Sequence, residues 1–412
     1  MRSQKIRLKL TKEQERLAWQ YSNASRKFWN LLVDIDRRNN NGEFDEILSE
    51  WGNETYQSKV HERAVYSLNQ SDYRNLAKII VSENYENEVA NWSWYYQQNQ
   101  SFIYAFISRE LVKIRMQNKG TLKFRSASKV QPNFHVRCDA FPNKKRPSRI
   151  YLKENGKLQI PSIGDVRFGH VREDFDLSCK KQAAHISFDG KYWYLTYVED
   201  VESTTSELPD YTDGIGIDLG ITPLATTSDG TIVPNIKTFR RFRILNKRLK
   251  RLQRKLSRKY LINKCNKHNK TKNIIKLERQ IKLIYRSIRN IRINHIRKFV
   301  SELVKKQPQY IAIEDLNVKG MMKNKYLAKD IANCSFYTIR EHLIRKAKER
   351  HIVIRLVDRF YPSSKTCSNC GSYKVDLKLS QRVYYCEHCK AQIDRDFNAS
   401  INIANTDEYV LV

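Results

Sequence analysis

The 412-residue sequence predicts an α+β multidomain protein. A small N-terminal all-β module carries inserted helices, and a C-terminal α/β module carries a metal-bound ribbon. Three observations lead there. Hydrophobic residues make up 40% of the chain, enough for real cores despite heavy charge. The apolar period is helical before residue 118, two from 121 to 200, and mixed thereafter. Four cysteines stand as Cys367-x2-Cys370 and Cys386-x2-Cys389, fifteen residues apart, which is the spacing of a two-knuckle zinc site.

Lys and Arg number 76 against 44 Asp and Glu, a net charge of +32. A compact chain so charged repels itself unless a polyanion shares its surface, and nucleic acid is the polyanion to expect. No apolar run reaches the roughly 20 residues of a membrane span, so no membrane partner is expected. Met1 to Lys5 lacks the apolar core of a signal peptide. The other cysteines, Cys138, Cys179, Cys265 and Cys334, are scattered, which suits a reducing compartment, the cytoplasm, better than a disulfide framework.

Residues 4–10 alternate and read as a half-buried strand. Thr11 and Gln14 form a capping-box pair, and Leu17, Tyr21, Ala24, Phe28 and Leu31 give the following helix its buried stripe. Residues 39–53 read as a loop, and 60–117 as helical. Aromatic residues Trp92, Trp94, Tyr95 and Tyr96 are followed by Phe102, Phe106 and the basic stretch Arg109 to Arg115; helix-to-helix packing is favoured over base stacking. Strands are expected at 121–125, 134–138, 149–152, 157–161, 165–168, 183–188 and 192–198, forming a small barrel or sandwich. Asn155-Gly156 and Asp189-Gly190 are expected as hairpin turns with positive φ at both central positions. Residues 201–212 lack periodicity and read as a linker.

A new module opens with Gly214 to Ile221, a strand with Asp218 at its centre, expected to pair with the strand after the Ser228-Asp229-Gly230 turn. Residues 236–299 hold 24 Lys/Arg and one acid, Glu278. Leu245, Leu249, Leu252 and Leu256 form one apolar stripe; Ile274, Leu277, Ile281, Ile284, Ile288 and Ile291 form another. These stripes predict an antiparallel helical hairpin whose basic outer faces contact phosphate. Tyr310 to Leu316 is a short strand containing Glu314; 337–350 reads as helix and 351–357 as strand.

Four thiolates close a tetrahedral site with no open position, so the cysteines predict structural Zn²⁺. Asp218, Glu314 and Asp396 are each weak signals; Asp396, for instance, can be the N-cap of a helix over 398–404. Taken together they lie at β/α junctions in one domain. Cleavage of a phosphodiester by two divalent cations needs carboxylates converging from separate strands and a helix, and Mg²⁺ prefers such oxygen ligands. Asp396 is preferred because it leads directly into the apolar-periodic helix, whereas Asp394 sits too early, exposed beside Arg395.

At these residues the chain resembles TnpB, the transposon-encoded RNA-guided nuclease, and the related miniature type V CRISPR effectors. The resemblance rests on Gly216-Ile-Asp218-Leu-Gly220, Ile313-Glu314-Asp-Leu316, Tyr361-Pro-Ser-Ser-Lys-Thr-Cys367, the two Cys-x2-Cys pairs, and Asp394-Arg-Asp396-x-Asn398-Ala399. The N-terminal half matches more loosely. The resemblance implies an N-terminal β-barrel wedge domain with an inserted helical recognition domain, and a C-terminal RNase H-like (RuvC) α/β domain with an inserted zinc ribbon. Its boundaries here would be wedge strand and first helix 1–38, recognition domain 39–118, barrel 119–200, linker 201–212, RuvC-like domain 213–360 with hairpin 236–299, ribbon 361–392, and third motif 393–412. It implies a guide RNA that pairs with double-stranded target DNA beside a short adjacent motif. One RuvC-like site with catalytic Asp218, Glu314 and Asp396 holding Mg²⁺, two ions by the family pattern, would cut both strands, and a monomer is favoured. An RNA-guided repressor without cleavage and a DNA-joining transposase stand as alternatives. An actin-like ATPase would need further glycine-rich phosphate loops, and none stands out.

Overall fold

The computed structural model describes residues 2–51, 68–86, 100–118, 122–127, 130–137, 150–160, 163–169, 183–199, 212–265, 270–378 and 380–412. The aromatic run 92–96 and nearly all of the linker 201–212 lie outside these. The chain divides into two compact units, Met1–Ser203 and Thr204–Val412.

The first unit begins with β1 (Arg2–Lys9), whose Ile6 and Leu8 point into a core. Helix α1 (Lys12–Asn40) follows, and the Thr11/Gln14 capping box closes its first turn. The expected loop over 39–53 is mostly helix instead. Helix α1 runs through Asn40, and α2 (Asp45–Glu50) follows after a turn at Gly42, whose φ is 81°. Phe44 and Leu48, one helical turn apart, are buried, so burial outweighs the polar Asn/Gly composition. Two further helices, α3 (Gln70–Glu86) and α4 (Gln100–Asn118), share this core, with Phe28 of α1 stacked 4.0 Å from Tyr104 of α4.

Six more strands complete a seven-stranded antiparallel sheet: β2 (Asn133–Arg137), β3 (Tyr151–Leu152), β4 (Leu158–Ile160), β5 (Gly164–Phe168), β6 (Ala183–Phe188) and β7 (Trp193–Glu199). Their order is β2-β6-β7-β1-β5-β4-β3. The segment 122–126, expected within a strand, is not one. Side chains of α1 take its backbone groups: Asn30 accepts from Arg125 N at 2.7 Å and donates to Arg125 O at 3.1 Å, while Trp29 Nε1 donates to Lys123 O. The hairpin turns also differ from expectation, because only the glycines take positive φ, 70° at Gly156 and 97° at Gly190. Asp189 pairs with Tyr192, which makes Gly190-Lys191 the turn centre, and the Asp189 carboxylate accepts from Lys191 N and Tyr192 N. A carboxylate that caps the turn removes the need for a second left-handed residue.

The second unit is built on a six-stranded sheet of β8 (Ile215–Leu219), β9 (Ala225–Thr227), β10 (Ile232–Val233), β11 (Tyr310–Glu314), β12 (Val353–Val357) and β15 (Tyr409–Leu411), in the order β10-β9-β8-β11-β12-β15. Strands β8, β11 and β12 are parallel; the others join antiparallel. The strand after the Ser228-Asp229-Gly230 turn pairs with β9, not with β8 as expected. An earlier turn over 220–224 has already folded β9 back onto β8, with Gly220 N donating to Leu224 O.

One face of this sheet buries Ile215, Ile217, Ile311 and Ile313 against helices. The basic hairpin supplies one of them. It consists of a short 3₁₀ turn (Ile236–Thr238), α5 (Arg240–Cys265) and α6 (Lys272–Lys305), and its apolar seam joins Leu245, Leu249, Leu252 and Leu256 to Ile281, Ile284 and Ile288. Helix α6 continues past residue 299, so that Phe299, Val300 and Leu303 join the sheet core. Short helices α7 (Val318–Met321) and α8 (Ala328–Cys334) lead to α9 (Phe336–Lys348), which packs on the same face through Ile339 and Leu343. A two-stranded ribbon, β13 (Val383–Tyr385) and β14 (Gln392–Asp394), precedes α10 (Arg395–Asn405), which covers the opposite face. No described helix is long and apolar enough to cross a membrane.

Candidate metal and active site

Glycine decides where α10 lies. A Cβ on Gly216 would stand 2.1 Å from Ser400 O and 2.5 Å from Ala404 N, so only glycine lets the helix rest on β8. Strand periodicity puts Asp218 on the same face as Gly216, and Glu314 on the same face as Ala312, which packs with Ile403 of α10. Tyr310 Oη donates to Ala404 O at 3.0 Å, which fixes the C-terminal end of α10 at the start of β11. The N-terminal end of the helix therefore lies toward the strand ends where Asp218 and Glu314 sit. Ile217 and Ile313 are the last registered pair of β8 and β11. Asp218 and Glu314 are each one residue beyond that pair, on strands about 4.8 Å apart. Asp396 is in the first turn of α10.

The three acids share one electrostatic environment. Burial, then the charges of Glu314 and Asp396, push Asp218 up to about 8. Burial also raises Glu314, against a lowering hydrogen bond from Ser363 Oγ at 2.8 Å. Asp396 accepts from Arg395 Nη2 at 3.0 Å and from Arg382 Nη1 at 3.4 Å. Two partly buried carboxylates, Asp218 and Glu314, that resist ionisation beside one another fit a site completed by cations. Their oxygens do not close into one tight cluster. Among the described residues, only the four cysteines form a group of three or more ligand atoms within 4.8 Å of one another. Asp394, the acid passed over in the sequence, is the helix N-cap and accepts from Asp396 N and Phe397 N at 3.0 Å each. The helix begins at Arg395, three residues before the expected start, because that cap is available.

Cys367, Cys370, Cys386 and Cys389 converge in the ribbon. The Cys367–Cys389 and Cys370–Cys386 sulfurs are 3.7 and 3.6 Å apart. A tetrahedron with Zn–S bonds of about 2.3 Å has edges of ~3.8 Å, so the donor set and its spacing are compatible with zinc. The backbone N–H of Cys389, 3.5 Å from the Cys386 sulfur, leads the contacts that lower that thiol to about 6, toward the thiolate a metal requires. Tyr384, buried beside Cys367 and Cys386, is the largest side chain of this small core.

Several residues of the site escaped sequence reasoning. Ser363, Asn398 and Asn402 are buried and polar, and Arg382 reaches Asp396 from the ribbon. Asn398 and Asn402 carried a usable signal: both stand on the apolar stripe of α10, where helical periodicity asks for hydrophobic residues. Ser363 stands inside the Tyr361-Pro-Ser-Ser-Lys-Thr-Cys367 motif without having been given a role, and nothing in the local sequence marks Arg382.

Comparison with known proteins bears on this site directly. A family model described as "Cas12f1-like, TNB domain" matches residues 336–403, and one described as "Probable transposase" matches 196–325. A "Putative RNA-guided DNA endonuclease" of Streptomyces pristinaespiralis is 34% identical over 211 residues, covering 51% of this chain and 49% of that protein. "Putative RNA-guided DNA endonuclease InsQ" of Escherichia coli (strain K12) is 28% identical over 304 residues, 68% of this chain and 71% of that one. "TnpB-like protein L79" of Acanthamoeba polyphaga mimivirus is 34% identical over 134 residues, 31% of this chain and 25% of that one. The chain is thus similar to RNA-guided DNA endonucleases and TnpB-like proteins. It spans about half the length of the Streptomyces relative. Its fold is similar to the chain in a structure titled "Cryo-EM structure of the Cas12f1-sgRNA-target DNA complex", with a TM-score of 0.51 and 13% identity over 99% of both chains. The two family models cover the acids and the cysteines: Asp218 and Glu314 lie within the 196–325 match, and Asp396 and all four cysteines within the 336–403 match.

Proposed function

We propose that this TnpB-like chain is an RNA-guided DNA endonuclease that hydrolyses phosphodiester bonds at Asp218, Glu314 and Asp396. One observation carries the reading: two partly buried acids leave adjacent parallel strands at one level, beneath the N-terminal end of a helix that brings a third. These residues would hold Mg²⁺, which supplies an activated water and neutralises charge on the leaving oxygen when bound. The chain's own part is to orient the three carboxylates and to hold Asp218 and Glu314 partly buried, where a bound cation would offset the cost of their charge. The cysteine cluster would hold structural Zn²⁺.

In the same reading, residues 213–360 with 393–412 form the RuvC-like domain and 361–392 its zinc ribbon. Residues 1–38 and 119–200 form the wedge domain, and 39–118 the recognition domain. Guide RNA and double-stranded target DNA are the partners, and a monomer is the expected state. The basic hairpin supports this, because residues 236–299 hold 24 Lys/Arg against one acid, a surplus suited to phosphate contact.

The test is Mg²⁺-dependent cleavage of plasmid DNA by the full chain with the RNA that co-purifies. Cleavage that follows the guide sequence and disappears in Asp218→Asn supports the reading. Guided binding without cleavage would establish a repressor, and joined strands a transposase. A protein that co-purifies with no RNA would overturn the proposal.

A further inference from the structure

We infer that the loop entering the zinc ribbon holds Glu314 in place, with Ser363 and Asn402 as positioning residues that tie the acid to the first cysteine knuckle. The inference rests on the nuclease site proposed above. Ser363 is buried, and its Oγ donates to Glu314 Oε1 at 2.8 Å. Its carbonyl accepts from Asn402 Nδ2 at 2.8 Å, and the same amide donates to Thr366 O at 2.6 Å. One helical turn earlier, fully buried Asn398 donates to Thr366 O at 2.7 Å and accepts from Ser368 N at 2.8 Å. Thr366 and Ser368 flank Cys367. A continuous set of hydrogen bonds thus runs from the Glu314 carboxylate through Ser363 and α10 to the knuckle.

The consequence follows from where these groups are anchored. Helix α10 carries Asp396 in its first turn and grips the knuckle through Asn398 and Asn402, four residues apart on one face. Ser363 lies on the segment between β12 and the knuckle, away from regular structure. Its carbonyl is held by the Asn402 amide, which with Asn398 also holds Thr366 beside Cys367, and Cys367 closes the other end of the segment. Thiolates gathered on a metal fix Cys367. Occupancy of the ribbon therefore governs the direction in which Glu314 points, although the ribbon contributes no cysteine to the reaction. These contacts also explain why two asparagines stand on the buried stripe of α10: their amides bond the carbonyls of Ser363 and Thr366 and the N–H of Ser368.

Ser363→Ala deletes the hydroxyl and leaves the knuckle intact. The readouts are Mn²⁺ affinity of the full chain, measured by water-proton relaxation, together with guided cleavage, zinc content and melting temperature. A hydrogen bond to a charged group corresponds to roughly a ten- to hundredfold change in an equilibrium constant. The expected result is a loss of that size in Mn²⁺ affinity, slower cleavage, one retained zinc per chain, and recovery of both losses in Ser363→Thr, which restores the hydroxyl. Should the alanine variant fail to fold, Ser363→Cys keeps the volume while donating weakly, and its affinity should fall between parent and the loss expected for alanine. Parental Mn²⁺ affinity in folded Ser363→Ala, or no recovery in folded Ser363→Thr, overturns the inference while leaving the nuclease reading standing. Parental Mn²⁺ affinity in Asp218→Asn removes the nuclease site itself, and the inference with it.

Discussion

Replacing Gly216 with alanine should disable the site from a position that makes no contact with substrate. The added Cβ would meet Ser400 O at 2.1 Å and Ala404 N at 2.5 Å. Ordinary heavy-atom contacts lie near 3.5 Å, so the helix must withdraw by about 1 Å. Both obstructing atoms are backbone, and no rotamer change can move them. Overpacking of this kind costs about 1–3 kcal/mol, which lowers the melting temperature by roughly 2–4 °C per kcal/mol in a unit of this size. The effect on catalysis should be larger than the effect on stability. Helix α10 carries Asp396 toward Asp218, and a misplacement of about 1 Å in a reacting constellation costs on the order of a hundredfold in rate. Single-turnover cleavage by the RNA-bound protein, run beside a thermal melt, checks both numbers. Parental cleavage with an unchanged melt would refute the close approach of α10 to β8. A large loss of stability with unimpaired cleavage in the surviving protein would refute the coupling of that approach to the acids.

Asp218→Asn should abolish cleavage yet stabilise the metal-free protein above neutral pH. The folded-state value of about 8 lies above the ordinary carboxyl value of about 3.9, so the buried acid favours folding while protonated. That contribution is complete below the ordinary value and is lost as pH climbs through about 8, a slope that melts of parent and variant at several pH values should expose. Stabilisation of the parent by Mg²⁺ should accordingly grow between pH 6 and about 8, as fewer protons must leave; a flat response counts against the acids as ligands. Cys389→Ser should lose zinc, by metal analysis, and weaken the ribbon core around Tyr384. Arg254→Gln with Arg258→Gln, on the exposed face of the basic hairpin, should reduce the salt dependence of nucleic-acid binding by about one unit of slope per lost phosphate contact; an unchanged slope would mean that this face is merely solvated.

Patterns with a strong local cause were legible without the fold. The capping box at Thr11 and Gln14 forms because both partners lie within one turn. The leucine and isoleucine stripes of the basic hairpin meet because their spacing alone places them on facing surfaces. The cysteines converge because a knuckle is a local turn. Where the sequence misled, a distant group intervened. The segment 122–126 reads as strand from its residues but satisfies its backbone on Asn30 and Trp29, almost a hundred positions away. Residues 44–48 read as loop from their polar neighbours but fold to bury Phe44 and Leu48.

The sequence by itself determined the chemistry available: three acids at β/α junctions, four thiols at metal spacing, and a surplus of cations fit for a polyanion. Only the tertiary structure decided how those groups stand to one another. Register puts Asp218 and Glu314 side by side, and a missing side chain at Gly216 lets α10 bring Asp396 to them. Two buried asparagines and Ser363 then bind an acid to a cysteine knuckle. Spacing along a chain records local geometry, whereas burial and long-range hydrogen bonding depend on which strands and helices become neighbours.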